Sequence, residues 1–470
     1  MTPLPHLNTA ANRILYLLHN FTSPTHVHQI QAQLILQNLR SDTTIAYHFI
    51  TACQSLGLLD LARQLFFTQL PRPHVFICNS LIRAFSRSHT PPHTPFSIYA
   101  HMHCNSVLPN NFTFPFLLKS LSDFQDFKRG QCLHTHIVKL GHFNDIYVQN
   151  SLLNVYASCG YMGLCRRVFD EMRQRDVVSW TVLIMGYRSV GKLDEALITF
   201  EQMQYAGVMP NHVTMVNALA ACADFGALEM GVWIHDFIRR SKWELDVILG
   251  TSLINMYGRC GKIEEGLAVF KNMKDKNTFT WNAVIQGLAI AKSGEDAVWW
   301  FNRMEQERIP ADSATLVGVL CACSHSGLVD MGKQIFSSLL DGKYGLSPNV
   351  KHYACMIDLF SRAGFLADAF KCIKEMPFEP TKAMWGSLLA GGRANGDVEL
   401  SEFAAWKLVE LEPQNSSYYV VLSNMYAELG RWSDAAKVRG MMNERGLKKD
   451  LGCSVVELEH QEQINQLLAQ

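Results

Sequence analysis

The sequence predicts an all-α fold, a superhelical solenoid of antiparallel helix hairpins. Three observations predict it. The chain matches itself at an offset of 101 residues, every third of that offset holds two amphipathic stretches, and no apolar/polar alternation of useful strand length occurs. At that offset Asn150–Tyr156 falls on Thr251–Tyr257, Cys159 on Cys260, Phe169 on Phe270, Met172 on Met273, Trp180 on Trp281 and Gly186 on Gly287. His134 likewise falls on His235, and Gly130, Gly231 and Gly332 form one series.

The 101 residues divide into repeats of 31, 35 and 35, at 146–176, 177–211 and 212–246, then at 247–277, 278–312 and 313–349. Apolar residues recur at helical spacing, as in Leu183, Ile184 and Tyr187, then Ala196, Leu197 and Phe200. Gly160, Gly191 and Gly261 break the two stretches where a helix C-cap belongs, and Pro210 and Pro348 mark repeat ends. A single hairpin cannot bury its own apolar face, so neighbours must stack into a continuous core. Before these repeats lie 75–110 and 111–145, and residues 25–42 read as a fragment of one. The last short repeat is 350–381. Residues 1–24 carry Arg13 and the apolar run Ile14–Leu18, with no acid before Asp42. That pattern fits an organellar presequence or an N-terminal cap.

Composition narrows the function. The chain of 470 residues is 48% hydrophobic and 18% charged, with 42 basic and 42 acidic side chains. Disorder is excluded over most of its length. Neutrality argues against a broad polyanion binder but allows one basic stripe. Thirteen cysteines sit inside apolar helical patterns with no CxxC pair, so reduced packing thiols are expected rather than disulfides or zinc. No apolar run approaches the length of a membrane span, and no membrane association is expected.

A 35-residue hairpin ending in Gly207-Val-Met-Pro-Asn211 resembles the pentatricopeptide repeat. The alternation of short, standard and long repeats resembles the PLS subclass of land plants, as do the strings Val168–Met172, Asp176–Ile184 and Ala322–Val329. The 34-residue tetratricopeptide pattern does not fit, although the hairpins are of the same general kind. The resemblance implies a right-handed superhelix, with an array over 25–381. From Met384 to Trp432 the sequence resembles the E extension of this subclass, and Leu451–Leu458 resembles its closing segment. The extension is expected at 382–458, followed by a C-terminal tail at 459–470.

Many relatives continue into a DYW cytidine deaminase, whose zinc chemistry needs an HxE…PCxxC pattern. His460-Gln461-Glu462 is the single HxE, and no cysteine follows it. It is read as coincidence. No GxGxxG, P-loop or GxSxG occurs either. Cys321 and Cys323 read as helix packing. The expectation is a chain without catalytic residues, metal or cofactor.

In this family one repeat is taken to meet one nucleotide. The fifth residue and the last residue of a repeat meet the base edge, and the second packs against base faces, the way single-stranded bases are generally read. Carried onto this sequence, the edge-reading pairs are Asn79 with Asn110, Asn150 with Asp176, Thr181 with Asn211, Thr251 with Asn277, and Asn282 with Asp312. The stacking positions are Phe76, Tyr147, Val178, Ile248 and Phe279. The long repeats instead place Pro115, Val216 and Val317 at the fifth position, which cannot hydrogen-bond an edge. The plainer reading is that Asn and Thr start helices as caps and that Asp or Asn end loops. Arg87, Arg188, Arg259 and Arg362 end first helices and are candidates for phosphate contact or for solvated helix-end charges. The family's pairing rules imply a site 5′-Y-n-U-A-n-A-U-n-n-3′, with Ala354 of the last repeat following no familiar rule.

The resemblance implies a sequence-specific factor for single-stranded organellar RNA, specifying a site of C-to-U editing. A DYW-type deaminase or other editing factor would dock on 382–458. The mitochondrion is the expected compartment, with the chloroplast as the alternative. A transcript-stability or splicing factor keeps the RNA binding without the editing. A pure protein scaffold needs no polar alternation at the fifth position.

Overall fold

The computed structural model describes residues 9–37, 39, 42–69, 73–88 and 90–448. Leu451–Leu458, the tail 459–470 and His460-Gln461-Glu462 lie outside the described residues, as do residues 1–8. Among the described residues there are 26 helices and no strand. They form two compact bodies, divided between Trp243 and Glu244.

Each body is built in the same way. In the first, the helices Val75–Arg87, Phe114–Asp123, Ile146–Ser158, Val177–Ser189 and His212–Phe225 stack each on the next. In the second, Val247–Arg259, Thr278–Ile290, Ser313–Ser326, Val350–Arg362 and Lys382–Ala394 do so. These first helices make one layer. Within each body the second helix of a hairpin packs against its own first helix and against the first helix of the hairpin that follows in that body, making the other layer. Residues 10–69 hold two further hairpins, including Thr43–Ser55 with Leu59–Gln69, which the fragmentary pattern at 25–42 did not delimit. Helix Ala10–His19 is capped by Thr9, and its Ile14 and Leu18 are buried.

The sequence period is repeated in the packing. Trp180 meets Phe169 edge-on at 4.7 Å, and Trp281 meets Phe270 edge-on at 4.9 Å. All four rings are buried, which gives each repeat a large apolar anchor of the same shape. Glycine is required where backbones crowd. A Cβ on Gly287 would lie 2.4 Å from Ile263 Cδ1, and one on Gly258 would lie 2.9 Å from Gly287 Cα. Gly160 and Gly261 turn their hairpins at φ +79° and +74°, a region other side chains rarely enter.

Candidate nucleic-acid interface

First helices start on a side-chain cap, and the cap is the last residue of the preceding repeat. Asp145, Asp176, Asn211, Asp246, Asn277, Asp312 and Asn349 each accept a helix N–H. The plainer reading of those residues is therefore realised. It does not exclude a second role, because a capping side chain uses one of its two polar ends.

In five of the standard and short repeats the fifth residue lies beside the last residue of its repeat, which is the helix cap in all but 75–110, where Asn110 precedes a helix that starts after Thr113. In the first body, Asn79 Nδ2 donates to Asn110 Oδ1 at 3.0 Å, and Asn150 Nδ2 donates to Asp176 Oδ1 at 3.1 Å. In the second, Asn282 Nδ2 donates to Asp312 Oδ1 at 3.0 Å. The threonine pairs meet through an intermediary. Thr181 Oγ1 is 2.7 Å from Thr214 Oγ1, which is 2.9 Å from Asn211 Oδ1. Thr251 Oγ1 is 3.0 Å from Thr280 Oγ1, which is 3.2 Å from Asn277 Oδ1.

The intermediary is the third residue of the following repeat, a residue the sequence did not single out. Thr113, Thr214, Thr280 and Thr315 occupy it, with Ser179 at the remaining junction, and all are 0% exposed. The signal was present as a hydroxyl three positions after each cap, but that spacing is also an ordinary helix start.

Position-two side chains stand out from this layer. Phe76, Tyr147, Val178, Ile248 and Phe279 are 65%, 71%, 45%, 60% and 68% exposed. In the first body Phe76 and Phe112, with Tyr47, Gln54, Asn79, Arg83 and Arg87, line a groove of about 750 Å³. Apolar faces flanking a polar pair match the face and the edge of an unpaired base.

Burial works against the charged form of Asp312. Hydrogen bonds from the Thr315 N–H, the Asn282 amide, the Thr315 hydroxyl and the Ala314 N–H outweigh it and hold the carboxyl below its usual value. Asp312 is thus an acceptor at neutral pH.

The four arginines divide. Arg87 lines the groove. Arg188 Nε is 3.3 Å from Asp224, and Arg362 Nε is 2.7 Å from Asp358 on its own helix. Arg259 is the last residue of Val247–Arg259. Cys323 is buried and Cys321 half-buried, each a thiol outside any disulfide. Among the described residues no three His, Cys, Asp or Glu side chains are grouped to hold a metal ion, and no helix is long and apolar enough to cross a membrane.

Comparison with known proteins supplies relatives. The PPR repeat matches residues 150–177, 251–278, 279–309 and 352–379, the PPR repeat family 175–224, and the E motif 395–457. The chain is 36% identical over 92% of its length to the pentatricopeptide repeat-containing protein At5g56310 of Arabidopsis thaliana, covering 88% of it. It is 36% identical over 95% of its length to At5g43790 of the same plant, covering 98%. At2g22410, named as mitochondrial, is 36% identical over 87% of this chain, which covers 64% of it. Among solved structures, the pentatricopeptide repeat protein PPR10 in complex with an 18-nucleotide PSAJ RNA element matches with a TM-score of 0.72 at 14% identity. That match covers 93% of this chain and 65% of that one. PPR10 from maize matches with a TM-score of 0.52 at 16% identity, over 96% and 77%.

Proposed function

Because the chain belongs to the pentatricopeptide-repeat family, and to its members that carry an E motif, we propose that it is a sequence-specific single-stranded RNA-binding factor specifying a site of organellar C-to-U editing. The deaminase acts in trans. The observation that carries the reading is the meeting of the fifth and last residues of five repeats, directly at the asparagines and through a threonine at Thr181 and Thr251, beside an exposed apolar second residue.

Each pair offers a base edge a defined set of groups. Asn282 retains an amide N–H and Asp312 is an acceptor, which suits the carbonyl and N3–H of uracil. Thr181 donates to Val177 O at 2.6 Å, so it accepts from a base, and Asn211 Oδ1 takes the Thr214 N–H, so Nδ2 donates. An acceptor beside a donor suits the N6–H and N1 of adenine. Asn79 and Asn110 are assigned a pyrimidine, Asn150 with Asp176 a U, and Thr251 with Asn277 an A. The mitochondrion is the proposed compartment, with the chloroplast as the alternative. The chain itself carries out no catalytic step in this reading, and 382–458 receives the editing partner.

The test is a knockout of the gene followed by sequencing of both organelles' transcripts. One or a few cytidines lying shortly downstream of 5′-Y-n-U-A-n-A-U-n-n-3′ should lose editing. A knockout with full editing and altered transcript ends would favour the transcript-stability role instead.

A further inference from the structure

The hydroxyl at the third position of each following repeat has one proton and more than one acceptor within reach. Where that proton goes decides what the reading pair shows to a base. Thr315 Oγ1 lies 2.6 Å from Asn282 Oδ1 and 2.9 Å from Asp312 Oδ1, and it also receives the Asp312 N–H at 3.0 Å. The shorter contact takes the proton, since Asp312 Oδ1 is already served by the Thr315 N–H at 2.8 Å and by Asn282. The oxygen of Asn282 is thereby engaged inside the protein, and its amide nitrogen turns towards Asp312. Thr113 repeats the arrangement, with Oγ1 donating to Asn79 Oδ1 at 2.7 Å. At the threonine pair the hydroxyl donates in the same sense, to the oxygen of the fifth residue. Thr181 commits its proton to Val177 O, so Thr214 must donate to Thr181.

We propose that this hydroxyl is a third specificity-determining residue, which sets the donor–acceptor polarity of the reading pair in the repeat before it. The proposal rests on the RNA-reading assignment above. One junction supplies an internal contrast. Asn150 and Asp176 are the same pair as Asn282 and Asp312, but the third residue after them is Ser179. Its hydroxyl donates to the Asp176 carbonyl at 2.8 Å, and Asn150 Oδ1 is buried with no hydrogen-bond partner. Serine lacks the methyl that restricts threonine about χ1, so its hydroxyl turns back to the local carbonyl. The Asn150 amide is therefore held at its nitrogen end alone. The repeat 146–176 should discriminate bases less sharply than 278–312, although the two share one reading pair.

The experiment uses the full chain and RNAs that differ at one nucleotide, the one assigned to repeat 278–312 or the one assigned to 146–176. Affinities for all four bases are measured by fluorescence anisotropy. Thr315→Val removes the hydroxyl at nearly constant volume. It should cut the preference for U at its nucleotide roughly tenfold, the size of one lost hydrogen bond, and leave discrimination at the nucleotide of repeat 247–277 unchanged. Ser179→Thr should raise the preference for U at its own nucleotide by a similar factor, and it carries the test if Thr315→Val fails to fold. A purely structural hydroxyl would change overall affinity or stability and not these ratios. Unchanged ratios in either folded variant overturn the proposal. Absence of any base preference in the unsubstituted protein overturns the reading assignment, and this proposal with it.

Discussion

Asn282 donates a 3.0 Å hydrogen bond to Asp312, so the fifth residue of one repeat is tied to the cap of the next repeat's first helix. The carboxylate serves both. Its Oδ1 accepts the Thr315 N–H as a cap, and its negative charge is maintained by the hydrogen bonds around it.

Asp312→Asn separates the two roles. Asn and Asp cap helices about equally well, so the thermal midpoint should stay within about 0.5 kcal/mol of the unsubstituted protein in stability terms. The acceptor that suits uracil N3–H becomes an amide, and the preference for U at that nucleotide should fall by about 1–3 kcal/mol. Thermal denaturation together with a four-base binding series checks both halves. Loss of stability with unchanged base preference would make Asp312 a cap and nothing more.

Helix crowding gives a second prediction. A methyl at Gly287 collides with Ile263 Cδ1 at 2.4 Å and approaches Gly258 Cα at 3.3 Å. Gly287→Ala should cost about 1–3 kcal/mol, as overpacking of a close helix pair does. Gly163, inside helix Met162–Glu171, has nothing within 4 Å of the added atom. Gly163→Ala should therefore stabilise by roughly 0.5–1 kcal/mol through helix propensity. Opposite signs in paired denaturant titrations support the packing; equal signs would contradict it.

The period of 101 made the hairpins legible, and the fifth positions recur one period on, Asn150 at Thr251 and Thr181 at Asn282. The hydroxyl junction was not legible. Thr315 shows in the sequence only its local relation to Asp312, while its other partner, Asn282, lies 33 residues back. One ion pair of the candidate arginines was hidden for the same reason. Arg188 meets Asp224 across 36 residues, and no local pattern announces that ion pair. The hairpins within 10–69 were lost because their helices carry few of the landmark residues, with no buried tryptophan to anchor the register.

In the proposed reading the segment from Lys382 onward receives a protein partner. Its helices Lys382–Ala394 and Val398–Leu411 pair as a hairpin, and Phe403 and Leu411 remain exposed on the second. A chain ending after Thr381 should retain RNA affinity within about threefold, a difference of well under 1 kcal/mol, while editing in a complemented knockout is lost. Its thermal melt must remain cooperative, since Gly391 packs against Ser361 in the intact protein. A folded truncation that loses RNA binding would assign reading to the extension.

Acid should weaken the second body through His352. Burial lowers its pKa from 6.5, against a hydrogen bond to the Ser313 carbonyl, and its ring accepts the Asn349 N–H at 3.0 Å. The neutral ring is the folded form, so the unfolded chain binds the extra proton first. Stability is complete above about pH 6.5 and falls as the pH drops through 6.5 towards the lower folded value. Asp312 and Asp358 are likewise lowered, each held below 3.8, so their contributions are lost only in stronger acid. Thermal midpoints should decline between about pH 7 and 5. His352→Gln should flatten part of that decline, leaving the shares of His134 and His48, whose pKa values burial also lowers. An unchanged slope in the variant would remove His352 from the account.

The last prediction concerns base identity at the repeat 177–211. Thr181 has spent its proton on Val177 O, and Asn211 has spent its oxygen on the Thr214 N–H. What remains is an acceptor at the fifth position and a donor at the last, the complement of adenine. Thr181→Asn with Asn211→Asp puts a donor where the acceptor was and an acceptor where the donor was, the complement of uracil. The cap survives, because Asp accepts the Thr214 N–H as Asn does. The double variant should move the preference at that nucleotide from A to U by about 1–3 kcal/mol, the usual worth of one base-edge contact. Asn211→Asp alone leaves two acceptors side by side and should lower affinity for A without creating a preference for U, whereas Thr181→Asn alone makes the asparagine pair found at Asn79 and Asn110 and should favour a pyrimidine. A gel-shift series over the two single variants, the double variant and the unsubstituted chain, with all four bases at that nucleotide, distinguishes the outcomes. A double variant that still prefers A would remove Thr181 and Asn211 from base reading, and the geometry around Thr214 would then be helix capping alone.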